Sequence, residues 1–143
     1  MKDSAEERNK AIARAEFAIW SSGELDGLVS LVASDVVHHD PYDPDATGGL
    51  AGLKSSIRRN RHAFPDMEIT VEDQVAEGDR VATRWRATMT HRGSLVGESP
   101  TGDQVVMTGI TIERFEDGLI VESWRSMDTL GLLAGIGALP PRT

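Results

Sequence analysis

The chain has 143 residues, of which 39% are hydrophobic and 27% charged, a composition typical of a folded globular protein, and we expect one domain over residues 1–143. The absence of cysteine excludes disulfides, thiolate nucleophiles and cysteine-ligated metal centres. A net charge of −8 argues against sequence-independent binding to nucleic acid, which requires clustered lysine and arginine.

The first half of the chain predicts helices. A capping box that begins at Ser4 opens a helix over about residues 4–21, with Ala15 and Trp20 on its apolar face. A tight corner and a shorter helix follow, and a third helix is predicted over about residues 50–63. The charged first segment lacks the apolar core of a signal peptide, and no apolar run approaches the roughly 20 residues of a membrane span. We therefore expect a cytoplasmic protein that does not associate with membranes.

A long loop is predicted between the second and third helices, over residues 34–49. It is rich in proline, glycine and aspartate, with a strand-like Val36-Val37 near its start. Loops of this length are more often functional than not.

The second half changes to the two-residue period of β-strands. Apolar and polar residues alternate over 67–71 and 81–91, which predicts long antiparallel strands. Two further β-rich runs, 109–115 and 119–127, flank Glu116-Asp117-Gly118, and an Asp-Gly pair between such runs is a strong hairpin signal. Helices followed by strands predict an α+β fold, in which the helices cover one face of a curved antiparallel sheet.

Short motifs along nearly the whole chain resemble a known family. They are Gly23-Glu24-Leu25-Asp26, Ser34 to Pro41, Phe64-Pro65-Asp66, Val75 to Ala82, Thr90-His91-Arg92-Gly93 and Gly109 to Leu133. In their order and spacing they resemble the SnoaL-like polyketide cyclases, within the nuclear-transport-factor-2-like superfamily.

This resemblance implies a cone-shaped α+β barrel, open at one end, whose apolar pocket binds a hydrophobic small molecule. It also implies ring closure by aldol condensation without a cofactor. In that reaction a carboxylate removes a proton beside a carbonyl, and polar neighbours stabilise the enolate. Relatives on this fold include hydroxylases and binding modules, and their sheets commonly pair back to back, so a homodimer is expected.

The sequence departs from the cyclase pattern at the catalytic acid. The cyclases carry an aspartate at the position that matches Arg125 and a pocket histidine at the position that matches Thr111. An arginine does not act as a base at ordinary pH. Arg125 shares a strand face with Ser123, and in a pocket it would bind an enolate, phenolate or carboxylate oxygen. The alternative is a surface arginine paired with Glu122 or Asp128.

Another group would then be the base. His91 ends the inward face of the strand predicted over 81–91, and histidine titrates near neutral pH; the alternative is a structural histidine near the sheet edge. His38, His39 and Asp40 open the long loop. Because neighbouring residues on a strand point to opposite faces, the two histidines do not easily share a metal ion. One of them would instead face the pocket mouth, oriented by Asp40.

Several further residues would contact the substrate or belong to the core. Glu113 shares the strand face of Thr111 and is either a pocket base or a solvent-facing residue. Flat substrates stack well on aromatic walls, and methionines adapt to them. The candidates for substrate contact are Trp20, His38, Phe64, Trp85, Met89, Thr111, Glu113 and Ser123, and Trp124 is predicted to be core or pocket wall.

The expected function is polyketide tailoring on a flat, enolisable polycyclic substrate, without a metal or organic cofactor. His91 or a His38/Asp40 pair would be the base, and Arg125 would stabilise the anion. One alternative is a cofactor-less hydroxylase, in which Arg125 stabilises a substrate anion that reacts with oxygen. A non-catalytic binding or dimerisation module, which would use the Ile110 and Ile112 side of the hairpin, is the other.

Overall fold

The chain folds into helices packed on one curved sheet. The computed structural model describes residues 4–41, 43, 48–95 and 97–138. The helices are α1 (Ala5–Ser22), a 3₁₀ helix (Leu25–Ser30), α2 (Gly49–Ala63) and α3 (Thr129–Gly135). The strands are β1 (Val32–His39), β2 (Glu68–Glu77), β3 (Arg80–Thr90), β4 (Gln104–Glu116) and β5 (Leu119–Met127). Within the described residues the sheet is open, with the order β1-β5-β4-β3-β2. The predicted α+β class is confirmed.

One strand pair differs from the antiparallel sheet that the sequence predicts. The pairs β2-β3, β3-β4 and β4-β5 are antiparallel, whereas β1 lies parallel to β5. A parallel neighbour needs a long crossover connection, and the chain between β1 and β5 contains α2 and three strands. In this register His38 is beside Ser123 and His39 beside Trp124, so the residue that follows β1 comes close to Arg125.

Local signals at the helix ends are confirmed. The Ser4 hydroxyl accepts a hydrogen bond from the Glu7 amide at 3.0 Å, and Gly23 ends α1 with a φ of 77°, a left-handed conformation that glycine adopts at little cost. Ala15, predicted on the apolar face, is exposed. The side of α1 that is buried instead carries Ala13, Glu16, Phe17 and Trp20.

The β4-β5 hairpin forms as the sequence predicts. Asp117 and Gly118 have φ values of 50° and 77°, so both central residues of the two-residue turn are left-handed, as a type I′ turn requires. The predicted loop over 34–49 is shorter than expected, because β1 continues to His39. The side chain of Asp128 accepts a hydrogen bond from the Gly131 amide at 2.8 Å and caps α3.

The two faces of the sheet have different surroundings. The inner face, defined here as the face toward the helices, is covered by α1 at β2 and β3, by α2 at β1 and by α3 at β4. The outer face is open to solvent and includes the exposed side chains of Val106, Ile110 and Ile112. No helix in the described ranges is long and apolar enough to cross a membrane.

Candidate functional site

A cavity of about 510 Å³ lies between the inner face of the sheet and the helices. Its wall is mostly apolar, with the rings of Phe17, Trp20 and Trp85 on one side and methionine and leucine side chains elsewhere. This volume falls within the range of small-molecule sites. Flat aromatic ligands pack well against such rings.

The polar groups of the wall are supplied by the end of β1 and its loop, α2, β5 and the start of α3; they are Asp40, Asp43, Arg59, Asn60, Arg125 and Thr129. Arg59 forms an ion pair with Asp43 at 2.5 Å, and the Ser56 hydroxyl donates to the same carboxylate. A ligand in this cavity would therefore meet both apolar surface and charged groups.

Arg125 is a nearly buried cation on the wall of the cavity. Its side chain is 13% exposed, and a guanidinium nitrogen lies 3.4 Å from Oδ2 of Asp40, whose side chain is 4% exposed. The guanidinium carbon lies 4.6 Å from the centroid of the Trp20 ring, which is a favourable cation–π distance. The predicted surface pairing of Arg125 with Glu122 or Asp128 is wrong, since its partner is Asp40.

Buried polar groups hold both tryptophans of the wall in place. Trp20 Nε1 donates to Glu16 at 3.2 Å, and Trp85 Nε1 donates to the Thr111 hydroxyl at 3.0 Å. Gly109 lies opposite Trp85 in the β3-β4 register, and a Cβ atom at this glycine would overlap the indole ring. The indole orientations are therefore set by hydrogen bonds and by the missing side chain on β4.

Two carboxyl groups lie behind this wall. Glu16 and Glu113 are 3% and 1% exposed. Burial raises the pKa of Glu16, and Arg125 and the Trp20 hydrogen bond oppose that rise. Burial and then the neighbouring Glu16 raise the pKa of Glu113 well above its usual value, against the opposing charge of Arg125. Glu113 is neither solvent-facing nor on the described cavity wall, so the structure supports neither position predicted for it.

His38 faces inward from β1, and His39 faces outward. Burial first, and then the charge of Arg125, lower the pKa of His38 to about 4, so this imidazole is neutral at pH 7. In the described part of the chain its Nε2 has no hydrogen-bond partner. His38 and Ser123 border a void of about 10 Å³ beside Arg125 and Asp40, about the size that one water needs.

His39 and Trp124 are not on the described wall of the large cavity. His39 Nε2 lies 2.7 Å from Glu122 Oε2, and the His39 ring stacks on Trp124 at a centroid distance of 5.3 Å. The guanidinium carbon of Arg80 lies over the Trp124 ring, 5.1 Å from its centroid. These are outer-face contacts, and they correct the placement of His39 and Trp124 toward the pocket. The alternation of side chains along β1 brings only one histidine of the pair inward.

His91, Phe64 and Met89 are buried but lie away from the described cavity wall. His91 Nδ1 is 3.2 Å from the Thr101 hydroxyl, and its ring packs on Phe64 at 5.8 Å. The loop that contains Thr101 covers the end of β3 at this point. His91 is therefore hydrogen-bonded to this loop through Nδ1, while its Nε2 has no hydrogen-bond partner among the described residues.

The sequence analysis did not single out Glu16, Asp43 and Arg59. The signal for Glu16 was its spacing, since a charged residue four positions before Trp20 lies on the buried side of α1. No comparable signal exists for Asp43 and Arg59, which meet only through the fold. No cluster of three or more potential metal ligands occurs in the part of the chain that the structure describes.

Comparison with known proteins identifies the family. A model of the SnoaL-like polyketide cyclase family matches residues 10–136. The chain belongs to the SnoaL-like polyketide cyclase family. A search of curated proteins gave no significant match.

Solved structures similar to this chain extend this result. AclR from Streptomyces galilaeus, provisionally named a hydroxylase, is 32% identical, with a TM-score of 0.83 over 97% of this chain and 91% of that chain. IdmH from Streptomyces antibioticus, provisionally named a polyketide cyclase, is 34% identical, with a TM-score of 0.79 over 90% and 98%. TsrD from Streptomyces laurentii is 27% identical, with a TM-score of 0.84 over 97% and 100%. The cone-shaped fold that the motifs implied is confirmed.

Proposed function

We propose that this SnoaL-like protein is a cofactor-independent polyketide-tailoring enzyme, which acts on a flat, enolisable polycyclic substrate. The observation that carries the proposal is the Arg125–Asp40 pair at 3.4 Å on the wall of an apolar cavity. Relatives named as cyclase and hydroxylase share the fold. A carboxylate and a guanidinium on the wall of a mostly apolar cavity can act as a base beside an anion-stabilising group.

Asp40 is the proposed base. It is the carboxylate that reaches the cavity beside Arg125, whereas His91 is held by the loop at the end of β3. With the substrate ring against Trp20 and Trp85, Asp40 removes a proton from the carbon beside a carbonyl. Arg125 binds the oxygen of the resulting enolate. The enolate carbon attacks a second carbonyl of the same molecule, and the new alkoxide takes the proton back from Asp40.

Proton removal is testable with anthrone, a flat tricyclic ketone with an acidic methylene. In deuterated buffer without oxygen, the protein is expected to accelerate deuterium exchange at that methylene, as measured by mass spectrometry. The rate should survive dialysis against EDTA and fall on the order of 10²-fold in Asp40→Asn, within the usual range for general-base catalysis. If anthrone and 1,8-dihydroxyanthrone quench the tryptophan fluorescence but exchange at the uncatalysed rate, the proposed base chemistry is wrong.

Oxygenation is the second candidate, and Arg125 is the observation that favours it. A cation at the position where the cyclases carry their aspartate favours a long-lived substrate anion over proton transfer. Such an anion reacts with O₂ directly: anthrone and O₂ give anthraquinone and water. Enzyme-dependent ¹⁸O in the quinone, from labelled oxygen gas, would support the hydroxylase. Exchange without oxygen incorporation would support the cyclase.

We also propose a homodimer formed through the outer face of the sheet. Val106, Ile110 and Ile112 are 53%, 50% and 39% exposed and lie on β4, in the middle of this face. Apolar side chains clustered on an open sheet face are typical of protein–protein contacts. This proposal is compatible with either enzyme, and also with a non-catalytic binding module.

A further inference from the structure

Glu16 lies behind the cavity wall, close to both Trp20 and Arg125. It accepts the Trp20 indole N–H at 3.2 Å and interacts electrostatically with Arg125. The Trp20 ring in turn lies under the Arg125 guanidinium at 4.6 Å. A buried carboxyl group is costly, and this one makes its contact with the ring that supports the cation.

The remaining contacts of Arg125 leave its position dependent on that ring. The Asp40 oxygen is 3.4 Å away, which is long for a charge-assisted hydrogen bond. His38 from β1 and Glu113 from β4 act on Arg125 through charge, with no hydrogen bond to it among the described residues. The face of Trp20 is therefore an aromatic surface that lies against the guanidinium.

We propose that Glu16 is a positioning residue: by anchoring the Trp20 indole, it holds the Arg125 guanidinium where a substrate anion forms. This inference rests on the proposed function, since it assumes that Arg125 meets an anionic oxygen. Glu113 lies beside the same carboxyl group, and burial and then the neighbouring Glu16 raise its pKa. Two neighbouring carboxyl groups resist carrying two negative charges together.

The test uses 2-hydroxyanthraquinone, whose phenol and phenolate forms absorb at different wavelengths. A well-placed Arg125 favours the phenolate, so the bound phenol should have a lower pKa than the free phenol. Glu16→Met keeps the side-chain volume but removes the acceptor for Trp20. The bound phenol pKa is expected to rise by about one unit, a tenfold loss of preference for the phenolate. Glu16→Gln keeps an acceptor and should leave the pKa at or below the wild-type value.

These two variants separate positioning from charge. Loss of a negative charge alone favours the phenolate in both variants, so a purely electrostatic role lowers the bound phenol pKa in Glu16→Met as well. A merely structural role changes the melting temperature and leaves the bound phenol pKa unchanged. Either result overturns the inference.

Further variants keep the test decisive. If Glu16→Met does not fold, Trp20→Phe removes the anchored N–H while keeping a ring, and it should raise the bound phenol pKa; an unchanged pKa contradicts the inference. In Arg125→Gln, the bound phenol should have the same pKa as the free phenol. If Arg125→Gln has no effect, or the probe does not bind, the proposed function fails together with the inference. If only the Glu16 and Trp20 variants are without effect, the inference alone fails.

Discussion

Arg114 and Arg125 lie on opposite faces of the same hairpin, and their contacts differ in kind. On the outer face, Arg114 reaches Glu116 at 2.7 Å and Glu122 at 3.1 Å. On the inner face, Arg125 has one longer contact, to Asp40 at 3.4 Å, and lies against an aromatic ring. The shorter ion pairs are the more exposed ones, where water and salt screen charge. The shorter ion pairs of Arg114 therefore do not single it out, whereas burial beside a cavity is what distinguishes Arg125, the arginine of the proposed function.

The two adjacent histidines of β1 repeat this contrast. His38 is enclosed and close to a cation, which with burial lowers its pKa to about 4. His39 stacks on Trp124 and contacts Glu122 at the surface. Burial on the inner face thus lowers the pKa of one histidine, whereas its neighbour on the outer face makes ordinary surface contacts.

The largest expected effect separates the two arginines. Arg125→Leu should reduce anthrone deuterium exchange on the order of 10²- to 10³-fold, the usual cost of removing one oxyanion-stabilising donor. Arg114→Leu is the matched control, and its exchange rate should equal that of the wild type. Equal losses in the two variants would show that net charge, rather than position at the cavity, controls the reaction.

The next effect separates the two histidines by pH. His38 has a pKa of about 4 in the folded protein against 6.5 as its ordinary value, so the unfolded chain takes up the proton first as pH falls. The stability that depends on neutral His38 is present above pH 6.5 and is lost as pH falls toward 4. Between pH 6.5 and 5 this loss is on the order of 1 to 2 kcal/mol. Urea unfolding at these two values should show a smaller loss in His38→Gln than in the wild type.

His39→Gln, which changes the exposed neighbour of His38 on the outer face, is measured in the same experiment. If His38→Gln and His39→Gln respond to pH alike, then the inner face does not change the titration of His38.

The smallest effect concerns the outer face. Ile110→Ser should weaken the proposed homodimer about tenfold, or about 1.4 kcal/mol, because each dimer loses this apolar contact from both copies. Val29→Ser, at a side chain that is 68% exposed on the 3₁₀ helix, should leave the dimer unchanged. Sedimentation over a range of protein concentrations measures both. If the wild-type protein stays monomeric at all concentrations measured, the proposed homodimer is wrong.

The sequence predicted which face of the sheet a side chain occupies better than it predicted which residues along a strand reach the cavity. Alternation placed Arg125 and Ser123 on one strand face, and the Asp-Gly pair predicted the hairpin, because both depend on neighbours in the chain. His91 has the correct face but lies at the strand end, where the loop that contains Thr101 covers it. Periodicity does not report how far along a strand a cavity extends.

The contacts between distant segments were beyond the reach of such patterns. Asp40 meets Arg125 only because β1 pairs with β5 in parallel, in one particular register. Glu16 approaches Glu113 and Arg125 only because α1 packs over the inner face. Both depend on the complete packing of helices and sheet, which the family resemblance suggested in outline but not residue by residue.

Gly109 gives the cavity a feature that can be read in other sequences. The Trp85 indole occupies the space that a side chain at Gly109 would fill, so the two positions must change together. A SnoaL-like relative with alanine or a larger residue at the matching position needs a smaller ring, or none, at the position of Trp85. We therefore expect this pair of positions to covary, and to sort members of the family by the width of the ligand that they admit.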